Sequence, residues 1–376
     1  HISNTIFILE NQHAYHHLSS RSMNTRSIIG PSWVLLLILL QTFRLGLAFS
    51  NSATPASSSS PSSSMKNDVN PERPSQYYPA FLESLPSMQG KTVVITGCSR
   101  GLGYVTAKTI VKLGGFVVMM NRKSETANQV LQELTDECSV DSSDATRRVP
   151  PVLVECDLLN FDSVRQACEQ VRKLTKETGI DVLCCNAGVM LQPNQASQDG
   201  YDITASTNVL SHFLIVKLLF PHLQQAAAKE NNGEARIVSM SSASGYGYPA
   251  LDPSFFEQRG GKMGGGGQAK YERYHQSKLA NLLFTSALDD KLKDTNVKAV
   301  ACTPGVCGTD MFVHATTVMS GKPACRSNVP STEDGAMAQL KCICDPTVAS
   351  GDLWGPKMGT STLSKTALAP PQILID

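Results

Sequence analysis

Tyr274 and Lys278 have the residue types and the spacing that suit a proton transfer. They are four positions apart in a segment of helical character, so both side chains are expected on one face of a helix. A free phenol has a pKa of about 10, and a nearby ammonium group lowers that pKa by favouring the phenolate. We therefore predict that Tyr274 gives a proton to a carbonyl oxygen, or accepts one from an alcohol, near neutral pH.

Ser242 is the expected partner of this pair at the reacting oxygen. It follows a run of strand character, Ala235 to Met240, and its hydroxyl would hydrogen-bond and orient the same oxygen atom. A tyrosine and a lysine at this spacing also occur on ordinary surface helices. The prediction therefore depends on the elements that bring these side chains together.

A glycine-rich turn near residue 100 is the second feature with a chemical use. Thr96 to Gly103 joins a β-branched run to a helical segment with the spacing G-x-x-x-G-x-G. Residues without a Cβ atom let the backbone approach a pyrophosphate, and the next helix offers its N-terminal N–H groups to phosphate. The residues predicted to bind a dinucleotide here are Gly97, Ser99, Arg100, Gly101, Leu102 and Gly103. An ordinary strand-to-helix turn is the alternative.

The end of the second strand favours NADP(H) over NAD(H). NAD enzymes place Asp or Glu there to bond the ribose 2′-hydroxyl, whereas this chain has Asn121-Arg122-Lys123. Arg122 can pair with a 2′-phosphate, and Arg100 can approach the same group. Two solvated surface cations are the alternative interpretation.

The elements that must position these residues alternate between strand and helix. Apolar runs predict strands at Thr92–Thr96, Phe116–Met120, Val152–Val154 with Cys156, Ile180–Cys185, Ala235–Met240 and Val297–Cys302. Helical periodicity follows at Leu102–Leu113, Asn128–Cys138 and Val164–Thr175. Strands that are apolar on both faces indicate a parallel sheet covered by helices. We predict a single doubly wound, Rossmann-like α/β domain.

Seven motifs, in this order along the chain, give a resemblance to a known family. They are Thr96–Gly103, Asp157-Leu158, Asn186-Ala187-Gly188, Asn208, Ser241-Ser242, Tyr274-x-x-x-Lys278 and Pro304-Gly305. Together they resemble the short-chain dehydrogenase/reductases from about Lys91 to Pro356. The stretch Tyr274 to Asn281 resembles the retinol-dehydrogenase-like branch, which is also similar to the WW-domain oxidoreductase and more distantly to light-dependent protochlorophyllide reductase.

The resemblance implies roles for further residues. Asn208 would hold a water that extends a proton relay through Lys278, and Lys278 would also bond the nicotinamide ribose. Asp157, next to Leu158, would bond the adenine amino group, or would instead cap a helix. The segment Asn186-Ala187-Gly188 would pass beside the adenine ribose. Pro304-Gly305 would open the loop over the nicotinamide, and Thr309 would meet the carboxamide.

The sequence departs from this branch at two places. Ser242 and Tyr274 are farther apart than usual, because the intervening segment contains Gly260-Gly261 and Gly264 to Gly267. We expect a flexible loop there, near the substrate entrance. Cys98 stands where small apolar residues are usual, and we interpret it as packing rather than redox chemistry.

The predicted function is an NADP(H)-dependent oxidoreductase acting on an apolar carbonyl or alcohol. Met311-Phe312-Val313 and Tyr246-Gly247-Tyr248 are apolar and aromatic, which suits such a substrate or equally a packed lid. A protochlorophyllide-reductase-like C=C reduction is one alternative. An NADP(H)-sensing binding protein of a plastid assembly, with little turnover, is another. Peripheral membrane association and the oligomeric state stay open.

Composition excludes several other classes of protein. The chain has 376 residues, with 33 Lys+Arg against 32 Asp+Glu and a formal net charge of +1, so it lacks the excess charge of a nucleic-acid binder. No uninterrupted apolar run approaches the roughly 20 residues of a membrane span. The 11 cysteines are odd in number and many lie in apolar runs, which indicates buried thiols. Cys342-Ile343-Cys344 is the only close C-x-C pair, and this pattern does not predict a metal site.

The first eighty residues have the composition of a targeting leader. We expect residues 1–22 to be a non-native extension, residues 23–48 a signal peptide, and residues 49–86 a Ser/Pro-rich transit-type leader or linker. Ser50 to Ser64 holds nine serines among fifteen residues. This order, with Phe49 after the signal peptide, resembles the two-part plastid leader of diatoms and related algae. Secretion or retention in the endoplasmic reticulum is the alternative. The catalytic domain would span 87–365, followed by an irregular tail at 366–376.

Overall fold

A computed structural model of the protein describes residues 70–139, 148–230, 233–247, 250–258, 267–356 and 363–367. These residues fall in the unit that spans Ser63–Asp376. The predicted signal peptide, the leader up to residue 69, the glycines at 260–266 and the tail from 368 lie outside the described residues. So does Tyr248.

The strands form one sheet with the order β3-β2-β1-β4-β5-β6-β7-β8. The pairs from β3 to β7 are parallel, and β8 pairs antiparallel with β7. The strands are β1 (Thr92–Thr96), β2 (Phe116–Asn121), β3 (Val152–Glu155), β4 (Val182–Cys185), β5 (Ala235–Met240), β6 (Val297–Cys302), β7 (Asp352–Pro356) and β8 (Leu363–Ala367). The predicted doubly wound parallel sheet is confirmed, and β8 extends it into part of the segment that was expected to be an irregular tail.

Helices cover the sheet on both faces. They are α1 (Tyr78–Ser84), α2 (Gly101–Lys112), α3 (Glu125–Ser139), α4 (Phe161–Leu174), α5 (Ile203–Ala227), α6 (Gly267–Leu292), α7 (Asp310–Ser320) and α8 (Thr332–Cys344). Short 3₁₀ turns lie at Ala243–Gly247, Pro253–Phe256 and Arg326–Asn328. Helix α5 contains a π-helical turn at Ser206–Leu210.

Alternate residues of the strands divide the core into two layers. Val93 and Ile95 of β1 pack in one cluster with residues of α2 and α8, whereas Val94 packs in the opposite cluster with residues of α4 and α5. The period of two in a strand sends successive side chains to opposite faces. Because both faces are covered, both sets are apolar, which explains the unbroken apolar runs in the sequence.

Helix α5 is long and apolar enough to cross a membrane, judged by length and composition alone. Its most apolar window has a mean hydropathy of 1.5, although 61% of that window is buried inside the protein. Ile215 and Leu219 on this helix are fully buried against the sheet. We interpret α5 as a core helix for this reason.

Residues 70–84, which we call the N-terminal strap, pack against α8 and the turn before it. The carboxylate of Asp334, in the first turn of α8, accepts hydrogen bonds from the backbone N–H groups of Gln76, Tyr77 and Tyr78 at 3.0, 2.9 and 3.0 Å. The Tyr78 hydroxyl lies 2.6 Å from Thr109 Oγ1 of α2. The strap therefore belongs to the fold, although it lies within the segment expected to be leader or linker.

The first residues of the strap hold the turn between α7 and α8. Asn70 donates to the Ala324 carbonyl and accepts from the Arg326 N–H, both at 2.8 Å. Glu72 accepts from the backbone N–H and the hydroxyl of Thr332, both at 2.9 Å. Arg326 lies between two carboxylates, those of Glu72 and Asp310.

All eleven cysteines are free thiols, and nine of them are buried. Burial raises the pKa of the Cys156 and Cys168 thiols to about 12. These thiols therefore act as small apolar core residues.

Candidate active site

The predicted site residues gather where the strand order reverses. Strands β1 and β4 are neighbours, and the chain proceeds from them toward opposite sides of the sheet. Ligands of such sheets bind beyond the carboxyl ends of the strands at this switch point. Thr96, Asn186, Ser241 and Thr303 end or directly follow β1, β4, β5 and β6.

The glycine turn brings α2 so close to the end of β1 that no side chain fits at Gly103. A Cβ atom at Gly103 would lie 2.1 Å from the Gly97 carbonyl oxygen. Gly97 and Gly101 have φ angles of 75° and 59°, in the region that favours glycine. Asn186 Nδ2 donates to the Thr96 and Gly97 carbonyls at 2.8 and 3.1 Å, which fixes the turn against the end of β4.

The N-terminus of α2 offers a place for phosphate. No side chain caps this end of the helix, and its first turn contains no acidic residue. The first N–H groups of a helix have no partner within the helix and favour anions. A dinucleotide pyrophosphate therefore fits this cradle. Ser99 and Leu102 are half-buried in it, and Arg100 is exposed.

The two predicted phosphate-binding arginines follow adjacent strands. Arg122 is exposed after β2, and Arg100 lies 3.4 Å from the Asp310 carboxylate. Asn121 is buried at the end of β2, and its Oδ1 accepts a hydrogen bond of 2.8 Å from the Cys98 N–H. This bond links β2 to the glycine turn. The pairing of either arginine with a 2′-phosphate stays a prediction.

Asp157 lies at the end of β3 and shapes a turn. Its Oδ1 accepts a hydrogen bond of 3.0 Å from the Leu159 N–H. Helix α4 is capped by Asn160 instead, so the alternative capping role for Asp157 is not observed. Leu158 is buried beside it. The adenine contact implied for Asp157 stays a prediction.

Asn208 is fully buried in the π-helical turn of α5. Its side chain accepts from the Val189 N–H at 2.8 Å and donates to the Val189 carbonyl at 3.0 Å. It also donates to Ser277 Oγ of α6 at 2.9 Å. Asn208 thus joins the loop after β4 to the helix that carries Tyr274. Such π-turns are frequent at functional sites.

Lys278 is buried beneath the site with its ammonium group held by the backbone. Its Nζ donates to the Met240 carbonyl at the end of β5 at 2.9 Å. The same carbonyl accepts from Asn281 at 3.1 Å. Burial lowers the pKa of Lys278 to about 8, because a desolvated cation is unfavourable.

Tyr274 lies one turn before Lys278 on α6 and is also buried. Burial raises the pKa of Tyr274 to about 12, against a smaller lowering by a hydrogen bond with Ser242. Our expectation that Lys278 lowers the pKa of this phenol is therefore wrong. The reason is geometric, because the Lys278 ammonium bonds Met240 and lies 5.6 Å from the centre of the Tyr274 ring.

The two serines after β5 have different partners. Ser241 Oγ donates to the Lys278 carbonyl at 2.9 Å, which anchors α6 to the strand end. Ser242 is half-buried, and its Oγ accepts from the Ser244 N–H at 3.2 Å. Of the two, Ser242 is the serine that hydrogen-bonds the Tyr274 side chain, and its contact with a substrate oxygen stays a prediction.

Gly188 leaves a small space between these groups. A Cβ atom there would lie 3.5 Å from Asn208 Oδ1, 3.6 Å from Lys278 Nζ and 3.8 Å from Met311 Cε. Met311 belongs to the first turn of α7. The space is therefore bounded by an amide, a cation and an apolar side chain. Ala187 is half-buried beside it.

The loop from Pro304 to Thr309 faces the glycine turn. Thr309 caps α7 by accepting from the Phe312 N–H, and its Cγ2 lies 3.8 Å from the position of a Cβ atom on Gly101. Gly305 has a φ of 68° and lies against Pro356 of β7. This arrangement brings Thr309 to the rim of the cradle, and its implied contact with the carboxamide stays a prediction.

Arg273 is a buried residue at the site that sequence reasoning missed. Its guanidinium pairs with Asp202 and donates to the Gln192 and Pro193 carbonyls at 2.8 and 3.3 Å. It thereby holds the loop after β4, in which buried Leu191 has a φ of 55°. Only its position next to Tyr274 could have indicated this role.

The fold and the site geometry define a dinucleotide-binding protein with a Rossmann-type sheet. A family model described as short chain dehydrogenase matches residues 91–253. Retinol dehydrogenase 14 of Mus musculus is 32% identical over 71% of this chain and 78% of its own length. Polyprenol dehydrogenase of Homo sapiens is 30% identical over 62% of this chain and 66% of its own length. A crystal structure from Mycobacterium paratuberculosis, 27% identical, covers 76% of this chain and 88% of its own with a TM-score of 0.56.

The chain belongs to the short-chain dehydrogenase/reductase family and is similar to retinol dehydrogenases. The predicted family, its retinol-dehydrogenase-like character and the Rossmann-like fold are confirmed. Members of this family are oxidoreductases that use a nicotinamide cofactor.

Proposed function

We propose that this protein is an NADP(H)-dependent oxidoreductase that interconverts an apolar carbonyl compound and its alcohol, with Tyr274 as the proton donor. The observation that carries the proposal is the meeting of Tyr274, Ser242, Lys278 and Asn208 beside the dinucleotide cradle. When bound there, the nicotinamide would supply or accept the hydride. The protein groups would bind and orient the substrate oxygen and move its proton.

The environment of Tyr274 supports carbonyl reduction. With a pKa raised to about 12, the phenol is protonated at neutral pH and can donate its proton to a carbonyl oxygen. Ser242 is placed to hydrogen-bond the same oxygen and keep it in line with the phenol.

Asn208 and Lys278 provide the path by which Tyr274 would be reprotonated. The space at Gly188 lies within 3.6 Å of both Asn208 Oδ1 and Lys278 Nζ. A water there would have an acceptor on one side and a donor on the other. This geometry supports the relay that the family resemblance implies.

An apolar substrate is supported by the rim of the site and by the relatives. Met311 reaches the space at Gly188, and Val306 is 49% exposed in the adjacent loop. The relatives named above are described as dehydrogenases of retinol and of polyprenol, both apolar alcohols. We propose a retinal-like, isoprenoid or lipid-derived substrate on this basis.

The test is NADPH oxidation with a panel of apolar aldehydes and ketones. Steady turnover, abolished in Ser242→Ala, is expected. Tight NADPH binding without turnover on any carbonyl would contradict the proposal and favour a sensor. Leu223→Ile, on the far side of the core, provides a packing control that should retain turnover.

NADP(H) preference is proposed from Arg122 and Arg100. Arg122→Asp should reverse the preference, because a carboxylate repels a 2′-phosphate and can bond a ribose hydroxyl. Lys123→Asp changes charge by the same amount one residue away and serves as the control. Equal Michaelis constants for NADPH and NADH in the unmodified protein would rule out this preference.

We also propose a plastid location, on the composition of the leader. A fusion of residues 23–80 to a fluorescent reporter should reach the plastid of a diatom. Phe49→Ala should leave it in the endoplasmic reticulum or around the plastid. Secretion of the unmodified fusion would count against the proposal.

A further inference from the structure

His212 is a buried histidine on α5 that the reaction described above does not use. It is 4% exposed and has a partner at each ring nitrogen. Its Nε2 lies 2.9 Å from Thr96 Oγ1 at the end of β1. Its Nδ1 lies 3.2 Å from the carbonyl oxygen of Asn208 in the π-helical turn.

The partners of His212 determine its tautomer. The Asn208 carbonyl can only accept, so Nδ1 carries the proton and Nε2 accepts from the Thr96 hydroxyl. Thr96 Oγ1 also accepts from the Asn186 N–H at 3.1 Å and the Ala187 N–H at 3.0 Å. Every donor and acceptor of this network is therefore used with His212 neutral.

A charged His212 does not fit this arrangement. A proton on Nε2 would face a hydroxyl oxygen whose two lone pairs already accept backbone N–H groups. Burial, together with the nearby Lys278, lowers the pKa of His212 to about 4. The geometry and the electrostatics agree that the ring acts as one donor and one acceptor.

We propose that His212 is a positioning residue that couples the dinucleotide cradle to the proton relay. Through Nε2 it orients Thr96, which holds the backbone of Asn186 and Ala187 beside the glycine turn. Through Nδ1 it holds Asn208, whose side chain faces the space next to Lys278. This inference rests on the proposed function, because it assigns one ring nitrogen to cofactor affinity and the other to turnover.

Two substitutions of His212 test the roles of its two ring nitrogens separately. In His212→Asn the amide nitrogen can occupy the place of Nδ1, so the bond to Asn208 survives and the bond to Thr96 is lost. In His212→Gln the longer side chain can reach Thr96, and the bond to Asn208 is lost. An unmade buried hydrogen bond weakens the affected step by roughly tenfold.

The experiment measures the dissociation constant for NADPH by fluorescence and kcat on the best carbonyl of the panel. For His212→Asn we expect the dissociation constant to rise by roughly tenfold, with a smaller change in kcat. For His212→Gln we expect kcat to fall by roughly tenfold, with a smaller change in the dissociation constant. His212→Phe should show both effects.

His222 provides the matched control. It lies on the same helix, and its Nδ1 is 2.9 Å from Thr175 Oγ1. Its backbone carbonyl accepts a hydrogen bond from the Ile180 N–H, just before β4 begins. His222 therefore lies near the amino ends of the strands, whereas the site lies at their carboxyl ends. His222→Asn and His222→Gln should change the melting temperature and neither of the two functional parameters.

Several outcomes would overturn the assignment. If both His212 substitutions changed the same parameter, or lowered only the melting temperature as those of His222 do, the role would be structural. If the His212 variants failed to fold, Thr96→Val replaces the hydroxyl with a methyl group, and unchanged NADPH affinity in that variant would overturn the assignment. Failure of the unmodified protein to bind NADPH or to turn over any carbonyl would instead refute the proposed function.

Discussion

At the residue scale, burial shifts the pKa values of Tyr274 and Lys278 in opposite directions. Both are buried, and burial disfavours the charged form of each. The pKa of the phenol is raised to about 12, and that of the ammonium is lowered to about 8. Near neutral pH, the pair therefore consists of a protonated phenol and an ammonium group that loses its proton more readily than a free lysine does.

Tyr274→Phe tests the acid. The ring should still fill its place in the packed helix, and only the hydroxyl is lost. Since general acid catalysis contributes about 10²- to 10⁴-fold, kcat should fall by that order. NADPH affinity should change little, as measured by fluorescence titration. Retention of most turnover would show that the donor is misassigned, and Tyr271 would be the next candidate.

The lowered pKa of Lys278 predicts how stability depends on pH. Its folded pKa of about 8 lies below the value of 10.5 for the free side chain, so between these values the unfolded chain binds more protons. The free energy of unfolding should therefore gain a contribution from this group as the pH rises from 8 to 10.

Chemical denaturation at pH 7, 8, 9 and 10 measures this contribution. Lys278→Met lacks the buried cation, so the difference in stability between the unmodified protein and this variant should move in favour of the unmodified protein over that range. A difference that is constant with pH would show that Lys278 is not desolvated as the structure indicates. Lys91→Met, at a lysine whose side chain is 43% exposed, is the control.

At the scale of elements, the contact between β1 and α2 depends on a missing side chain. A methyl group at Gly103 would meet the Gly97 carbonyl and the Asn186 amide at 2.1 and 2.5 Å. Gly103→Ala should therefore lower the melting temperature strongly or prevent folding. Gly188→Ala is the contrasting variant, since its methyl group makes only ordinary contacts, and it should fold normally. Its turnover should fall, because the methyl group fills the space beside Asn208 Oδ1 and Lys278 Nζ. Equal melting temperatures for the two would contradict this reasoning.

Periodicity and turn chemistry could predict most of the sheet from the sequence. Runs such as Thr92–Thr96 and Val297–Cys302 are apolar on both faces, and the structure has strands at the same residues. The glycine spacing likewise gave the correct strand-to-helix turn. These signals are local, so they can be read without knowledge of the rest of the fold.

Features that depend on distant partners could not be predicted. Nothing near Arg273 in the sequence indicates its pairing with Asp202, 71 positions away. The π-helical turn around Asn208 follows an ordinary helical pattern, and the direction of the Tyr274 pKa shift depends on where Lys278 finds its acceptor. Each of these is decided by tertiary packing.

At the scale of the whole molecule, the N-terminal strap makes the catalytic domain longer than its motifs suggest. Deleting residues 1–69 leaves the contacts of Asn70, Glu72 and Tyr78 intact, whereas deleting residues 1–86 removes them all. The longer deletion should lower the melting temperature and raise the Michaelis constant for NADPH, because Arg326 loses Glu72 and the loop that carries Thr309 loses support. Identical melting curves for the two truncated proteins would disprove a structural role for the strap.

The strap also limits where a protease could remove the leader, whose removal is part of the proposed plastid location. Its three N–H groups bonded to Asp334 and the paired bonds of Asn70 belong to the folded enzyme, so a processing protease that cut beyond Asn70 would destabilise its own product. Cleavage after Ala48, or anywhere up to residue 69, leaves these bonds in place. We expect mass spectrometry of the mature N-terminus to find the first residue between 49 and 70. A mature enzyme that starts beyond Tyr78 and is fully active would show that maturation is not constrained in this way.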